Sequence, residues 1–151
     1  MNTWLKVIGF GNKPVTEAPY HGKYDLDYVG FHRKDRPSIR TGDHLFLYAA
    51  GGSKRIFAEA VAIDDPRPND STDRDSPNWK LKVSYVTNLR VSFGVHIDEI
   101  STARRNLTKS VMRASHIKLD SDEAERASVK LNNLKSATQL TEHYPKRLIE
   151  S

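Results

Sequence analysis

At 151 residues the chain is long enough for one hydrophobic core of ordinary size and too short for two. It has no cysteine, which excludes disulfides, thiolate metal sites and cysteine nucleophiles, so any chemistry must use oxygen and nitrogen groups. Lys and Arg number 24 against 19 Asp and Glu, a formal charge of +5 that favours a polyanionic partner.

Hydrophobic residues make up 37% of the chain and come in runs, as in a folded protein. No run is long enough to cross a bilayer, and Met1-Asn2-Thr3-Trp4 lacks the basic start and apolar stretch of a signal peptide, so a cytoplasmic protein with no membrane partner is expected.

Trp4 to Ile8 predicts a first strand, closed by a turn at Gly9-Phe10-Gly11. A dinucleotide fingerprint is rejected there, because the third glycine position holds Pro14. Asn12 to Lys23 reads as a loop, with Tyr20 and Tyr24 on the barrel or near its mouth. A short apolar patch, Tyr28 to Phe31, precedes the basic segment His32 to Arg40.

The stretch from Ile39 to Ile63 predicts the central hairpin of a small barrel. Its two apolar runs, Leu45 to Tyr48 and Ile56 to Ile63, flank Gly51-Gly52, and Thr41-Gly42-Asp43 makes a separate turn before it. Arg67 to Asn78 is polar and expected to be an exposed loop without an apolar anchor. Trp79, Leu81, Val83 and Tyr85 alternate with Lys80, Lys82 and Ser84, the clearest half-buried strand in the chain. Leu89, Val91 and Phe93 are expected to continue the sheet, and Val95 to Ile100 to turn from a strand end into a short helix. Ser101 to Lys109 is locally basic. Val111 to Leu119 predicts a last strand.

Asp120 with Glu123 forms a capping pair, and Ala124, Ala127, Leu131 and Leu134 give a helix a narrow apolar stripe that should pack across the barrel. One domain over 1–140 and a loosely held tail over 141–151 are expected. The Gly51-Gly52-Ser53-Lys54 run lacks phosphate-loop spacing, the six histidines are scattered, and no GxSxG elbow occurs. No metal, cofactor or catalytic residue is assigned.

The order of these features resembles the EVE domain of the PUA-like group, which also includes YTH and ASCH domains. The resemblance is carried by the Trp-containing first strand, Tyr28-Val29-Gly30, the basic segment, Arg40-Thr41-Gly42-Asp43 leading to a strand ending in Tyr48, Asp64-Asp65-Pro66, Trp79 to Tyr85, and Met112-Arg113-Ala114-Ser115. It implies an α+β fold, a PUA-like mixed β-barrel of five or six strands flanked by helices.

At the barrel's mouth it implies a pocket for a modified base flipped from a nucleic acid. Such a base needs aromatic walls and directed polar groups to replace lost stacking and pairing. Transferred to this chain, the base pocket comprises Trp4, Tyr28, Tyr48, Ala49, Ala50, Asp64, Trp79 and Ser115. Arg33, Lys34, Lys54, Arg55, Arg104, Arg105, Lys109 and Arg113 are the backbone contacts. Ala49-Ala50 replaces the family's polar pair and Tyr28 its usual Trp.

The leading expectation is a non-catalytic reader of a modified, for example methylated, base, in DNA rather than RNA, acting with a nuclease or other effector protein. One alternative is an ASCH-like enzyme that hydrolyses a modified nucleoside or acts on RNA. It would need a buried group of displaced pKa, for which Lys6, Lys80 and Glu59 are the candidates. A protein-interaction module is the third reading.

Overall fold

The first strand, β1 (Thr3–Ile8), alternates Trp4, Lys6 and Ile8 with Leu5 and Val7, so its two faces serve two different cores. In the computed structural model, residues 1–8, 28–51, 54–70, 77–102, 105–111 and 114–150 are described, the last fifteen by backbone alone. The turn expected at Gly9-Phe10-Gly11, the loop with Tyr20 and Tyr24, Gly52 and residues 71–76 lie outside them.

The other strands are β2 (Tyr28–Phe31), β3 (His44–Ala49), β4 (Arg55–Ala62), β5 (Arg67–Pro68), β6 (Trp79–Asn88), β7 (Val95–His96) and β8 (His116–Lys118). They form a strongly curled mixed sheet in the order β2-β6-β4-β3-β1-β8, with β5 on β6 and β7 on β4. Among the described residues only β1 and β3 run parallel; the other pairings are antiparallel. The expected α+β barrel is therefore present, with six strands on its main path.

β3 and β4 make the expected central hairpin, and both glycine turns adopt backbone that favours glycine, with φ at 90° for Gly42 and for Gly51. Inside the curl, Trp4, Ile8, Phe31, Leu45, Leu47, Ala58, Ala60, Leu81 and Val83 form one core. Leu5, Phe46, Tyr48 and Ile56 face the other way, onto helix α2 (Ser121–Glu150). Ala127 and Leu131 of the predicted stripe are buried against them, with Ala124 and Leu134 at the margin. The helix opens with the reciprocal pair expected: Glu123 N–H donates to Asp120 Oδ1, and Asp120 N–H to Glu123 Oε1. Residues 141–150 continue this helix. No described helix is long and apolar enough to cross a membrane.

Three segments differ from their sequence readings. Val91–Phe93 is a 3-10 turn and does not continue the sheet. Gly94 sits so close to the Ile56 carbonyl that a side chain there would collide with it, and this approach carries the chain into β7. Among the described residues the last strand is confined to β8; a short helix, α1 (Leu107–Ser110), capped by the Asn106 side chain, lies before it. The polar stretch after Pro66 is anchored by hydrogen bonds: β5 pairs with Trp79 and Lys80, and Asn69 Nδ2 donates to the Pro77 carbonyl.

Candidate functional site at the barrel seam

The sheet ends at β2 on one side and β8 on the other, and side chains join these two edges. Phe31 at the end of β2 meets His116 at the start of β8 edge to face, with ring centroids 5.3 Å apart. His116 also packs on Trp4 of β1 at 5.4 Å. Beside these rings stands Lys6, paired in register with His116. It occupies a position where the barrel face otherwise reads Trp4 and Ile8, and it is 5% exposed.

The Lys6 ammonium lies 4.4 Å from the centre of the Phe31 ring and donates to the Val7 carbonyl at 2.8 Å. Burial pushes its pKa down to about 8. No carboxylate among the described residues lies within ion-pair distance of it.

Burial, then the charges of Arg33 and Lys6, push the His116 imidazole down to about 4, so it is neutral at physiological pH. Arg33 Nη1 is 3.4 Å from Nε2, and Ser115 Oγ is 2.8 Å from Nδ1. A guanidinium can only donate, so Nε2 is assigned as the acceptor and Nδ1–H as the donor to Ser115 Oγ. The Ser115 hydroxyl hydrogen is then directed away from the ring. The nearby acid, Asp43, is already engaged. Its Oδ2 accepts from the Trp4 indole at 2.9 Å and from Arg40 N–H at 3.0 Å, and its Oδ1 from Asn2 N–H at 3.0 Å. Burial opposes its charge, but these bonds outweigh burial and hold the carboxyl below the ordinary aspartate range.

The structure thus brings Trp4, Arg33 and Ser115 of the sequence-derived set together. Trp79 is half-buried against the barrel core, its indole reaching the Lys34 carbonyl at 3.4 Å. Tyr28 is 45% exposed on the outer sheet face, with Lys80 Nζ 5.4 Å from its ring centre. Tyr48 and Ala50 lie in the core beneath α2, and Ala49 lies in the barrel core. Asp64 binds Arg67 at 2.6 Å at the surface.

Lys34, Lys54 and Lys109 are exposed. Arg55 donates to the Gly94 carbonyl, and Arg105 is held by the fully buried Glu123 carboxylate and the Lys118 carbonyl. Arg104 and Arg113 lie outside the described residues. Of the three groups considered for an enzyme, Lys6 faces the seam. Glu59 pairs with His44 at 3.1 Å on the outer face, where Lys80 also lies.

Sequence reasoning left His116 among six scattered histidines and read Phe31 as part of the apolar patch before the basic segment, outside the base pocket. The signal that could have found the cluster is Lys6 itself, a cation at an inward strand position between Trp4 and Ile8.

No protein-family model matches the chain, and no curated protein matches it significantly. Solved structures do. A protein from Leishmania major superposes with a TM-score of 0.56 at 10% identity, over 92% of this chain and 97% of that one. Human THYN1, solved in complex with 5-methylcytosine-containing DNA, gives 0.53 at 11% identity, over 89% and 98%. A mutant ASCH protein from Zymomonas mobilis gives 0.51 at 12% identity, over 83% and 96%. With its curled mixed sheet, flanking helices and near full-length superposition, the chain carries the PUA-like fold of the EVE and ASCH proteins.

Proposed function

We propose that the protein is a non-catalytic nucleic-acid-binding module that holds a modified base, flipped out of DNA, at the seam between β2 and β8. The observation that carries this reading is the cationic, aromatic-lined cluster of Lys6, Arg33, His116, Trp4 and Phe31, which has no carboxylate among the described residues to neutralise it. A flipped base loses stacking and pairing, and such a cluster offers rings to replace the first and directed polar groups to replace the second. Trp79 flanks the seam, and Ser115 reads a base edge. Exposed Lys34, Lys54 and Lys109, with Arg104 and Arg113, contact phosphates and give a salt-dependent background affinity. The kinship in fold with a protein solved on methylcytosine-containing DNA supports the reading. A cytoplasmic location and a nuclease or other effector as partner complete it.

The test is a binding titration against duplexes that differ only in one base modification, at two salt concentrations. Preference for a modified duplex is the expected result. Equal, steeply salt-dependent binding to every duplex would reduce the protein to a basic surface.

One observation favours an enzymatic reading as well: Lys6 is a buried amine with its pKa lowered to about 8, suited to act as a base near neutral pH. Release of product from a modified nucleoside by the native protein, lost in Lys6→Met, would establish that reading in place of the first.

A further inference from the structure

Resting on the reading of the seam as a base site, we propose that the seam selects a base carrying an oxyanion, such as a pyrimidine with a ring carboxylate, over a base carrying a neutral methyl group. The side chains described at the seam offer mainly hydrogen-bond donors. Lys6 Nζ has three N–H donors and, among the described residues, one partner, the Val7 carbonyl. Arg33 is a donor by chemistry, and its contact with His116 Nε2 uses that ring's only acceptor nitrogen. With Nδ1–H directed at Ser115 Oγ, the serine hydroxyl also turns a hydrogen outward. The nearby carboxylate, Asp43, has both oxygens engaged by Asn2, Trp4 and Arg40.

The described seam is therefore a set of donors around a buried positive charge. An amino edge, as on methylcytosine, meets mostly donors there, and its methyl group gains only modest apolar contact beside an ammonium. A carboxylate would accept from these donors and neutralise a charge that has no carboxylate partner among the described residues. The neutral state of His116 fits this arrangement, because it keeps Nε2 able to hold the Arg33 guanidinium toward the seam.

A backbone phosphate is the other source of an oxyanion, and the experiment separates the two. The full chain is titrated with duplexes carrying one carboxylated, one methylated or one unmodified pyrimidine. A carboxylated nucleoside without phosphate and an unmodified nucleoside monophosphate then serve as competitors. The expected result is at least about ten-fold tighter binding of the carboxylated duplex than the methylated one, a margin that a charge-assisted hydrogen bond can supply. The phosphate-free carboxylated nucleoside should be the effective competitor. Lys6→Met and, as a milder half-buried change, Arg33→Gln should each remove most of that margin.

Tighter binding of the methylated duplex overturns the inference and leaves the base-reader reading standing. Competition by the monophosphate alone also overturns it and assigns the seam to the backbone. Failure to distinguish any of the duplexes removes the base-reader reading and this inference with it.

Discussion

Arg33 Nη1 stands 3.4 Å from His116 Nε2, so a guanidinium from the segment after β2 meets an imidazole of β8 across the edge where the sheet ends. The contact depends on a neutral ring, because a protonated imidazole has no acceptor and would repel both Arg33 and Lys6.

His116 should accordingly titrate near pH 4 in the folded protein, against an ordinary value of 6.5. Between these values the unfolded chain binds the extra proton and the native chain does not, so stability rises with pH from about 4 to 6.5 and is lost as pH falls through that window. Arg33→Gln removes one of the repelling charges and should move the ring's midpoint upward. Imidazole chemical shifts followed through a pH titration of the native protein and the variant read this directly. A His116 midpoint near 6.5 in the native protein would show that the ring is not buried against its cations.

Lys6 gives the opposite end of the pH scale. Its folded value of about 8 lies below the ordinary 10.5, so between these values the unfolded chain again binds the extra proton and stability attributable to this residue rises with pH. At neutral pH both states carry the charge and the native state bears its full burial penalty, on the order of 3 kcal/mol by the size of the shift. Lys6→Met keeps the chain length and removes the charge, so it should stabilise the unliganded protein at pH 7, and its advantage should shrink as pH rises toward the ordinary lysine value. Denaturant midpoints of the two proteins across that range test this; an advantage that does not change with pH contradicts it.

The architecture was legible in the sequence because its signals are local. Alternation in Trp79 to Tyr85, the glycine turns at Gly42 and Gly51, and the Asp120–Glu123 cap each act within a few residues, and each element stands where its pattern placed it. The seam was less legible because it joins β1, the end of β2 and β8, whose residues 6, 31 and 116 meet only through the curl of the sheet. The same curl divides the aromatic residues between surfaces: Trp4 and Tyr48 share a hairpin neighbourhood but point to opposite cores. Charge alone also misleads about role. Arg105 sits in a segment without acids, yet its partner, Glu123, arrives from a helix eighteen residues later.

That pair yields a stability prediction. Glu123 is fully buried, accepts from Arg105 Nε at 3.1 Å and also accepts from Asp120 N–H, so one carboxylate ties the segment before α1 to the start of α2. Glu123→Ala removes the ion pair's partner and half of the cap, with an expected cost of about 3–5 kcal/mol. Arg105→Ala should cost at least as much, because it leaves the fully buried carboxylate without its cation, and the double variant should be less destabilised than the sum of the singles. Chemical denaturation of the three variants provides the measurement, and strict additivity would mean that the two side chains do not act as a pair.

Gly94 carries a purely steric prediction. Its position allows the chain to pass against the Ile56 carbonyl, where a methyl group would overlap backbone that belongs to the β4–β7 pairing. Gly94→Ala should destabilise by about 1–3 kcal/mol, as overpacking does, and should disturb the Arg55 hydrogen bond to the Gly94 carbonyl. Thermal unfolding compared with Arg55→Ala separates the two contributions; a Gly94→Ala protein as stable as the parent would show that the backbone can yield there.

Trp79 tests whether the strand beside the seam contributes to recognition. Its ring is half-buried against the barrel core and its indole N–H reaches the Lys34 carbonyl, so a larger stability loss is expected from truncation than from Trp79→Phe, which keeps most of the packing and removes the polar tip. If the ring also stacks on a flipped base, Trp79→Phe should retain modified-base preference, and Trp79→Ala should lose it while staying folded at low temperature. Lys109→Ala, at an exposed position on α1, should weaken all duplexes alike and lower the salt dependence by about one phosphate contact. Circular dichroism of each variant fixes which are folded, and titrations at two salt concentrations then separate loss of preference from loss of affinity. A folded Trp79→Ala protein with unchanged preference would confine base recognition to Trp4, Phe31 and the cations beside them.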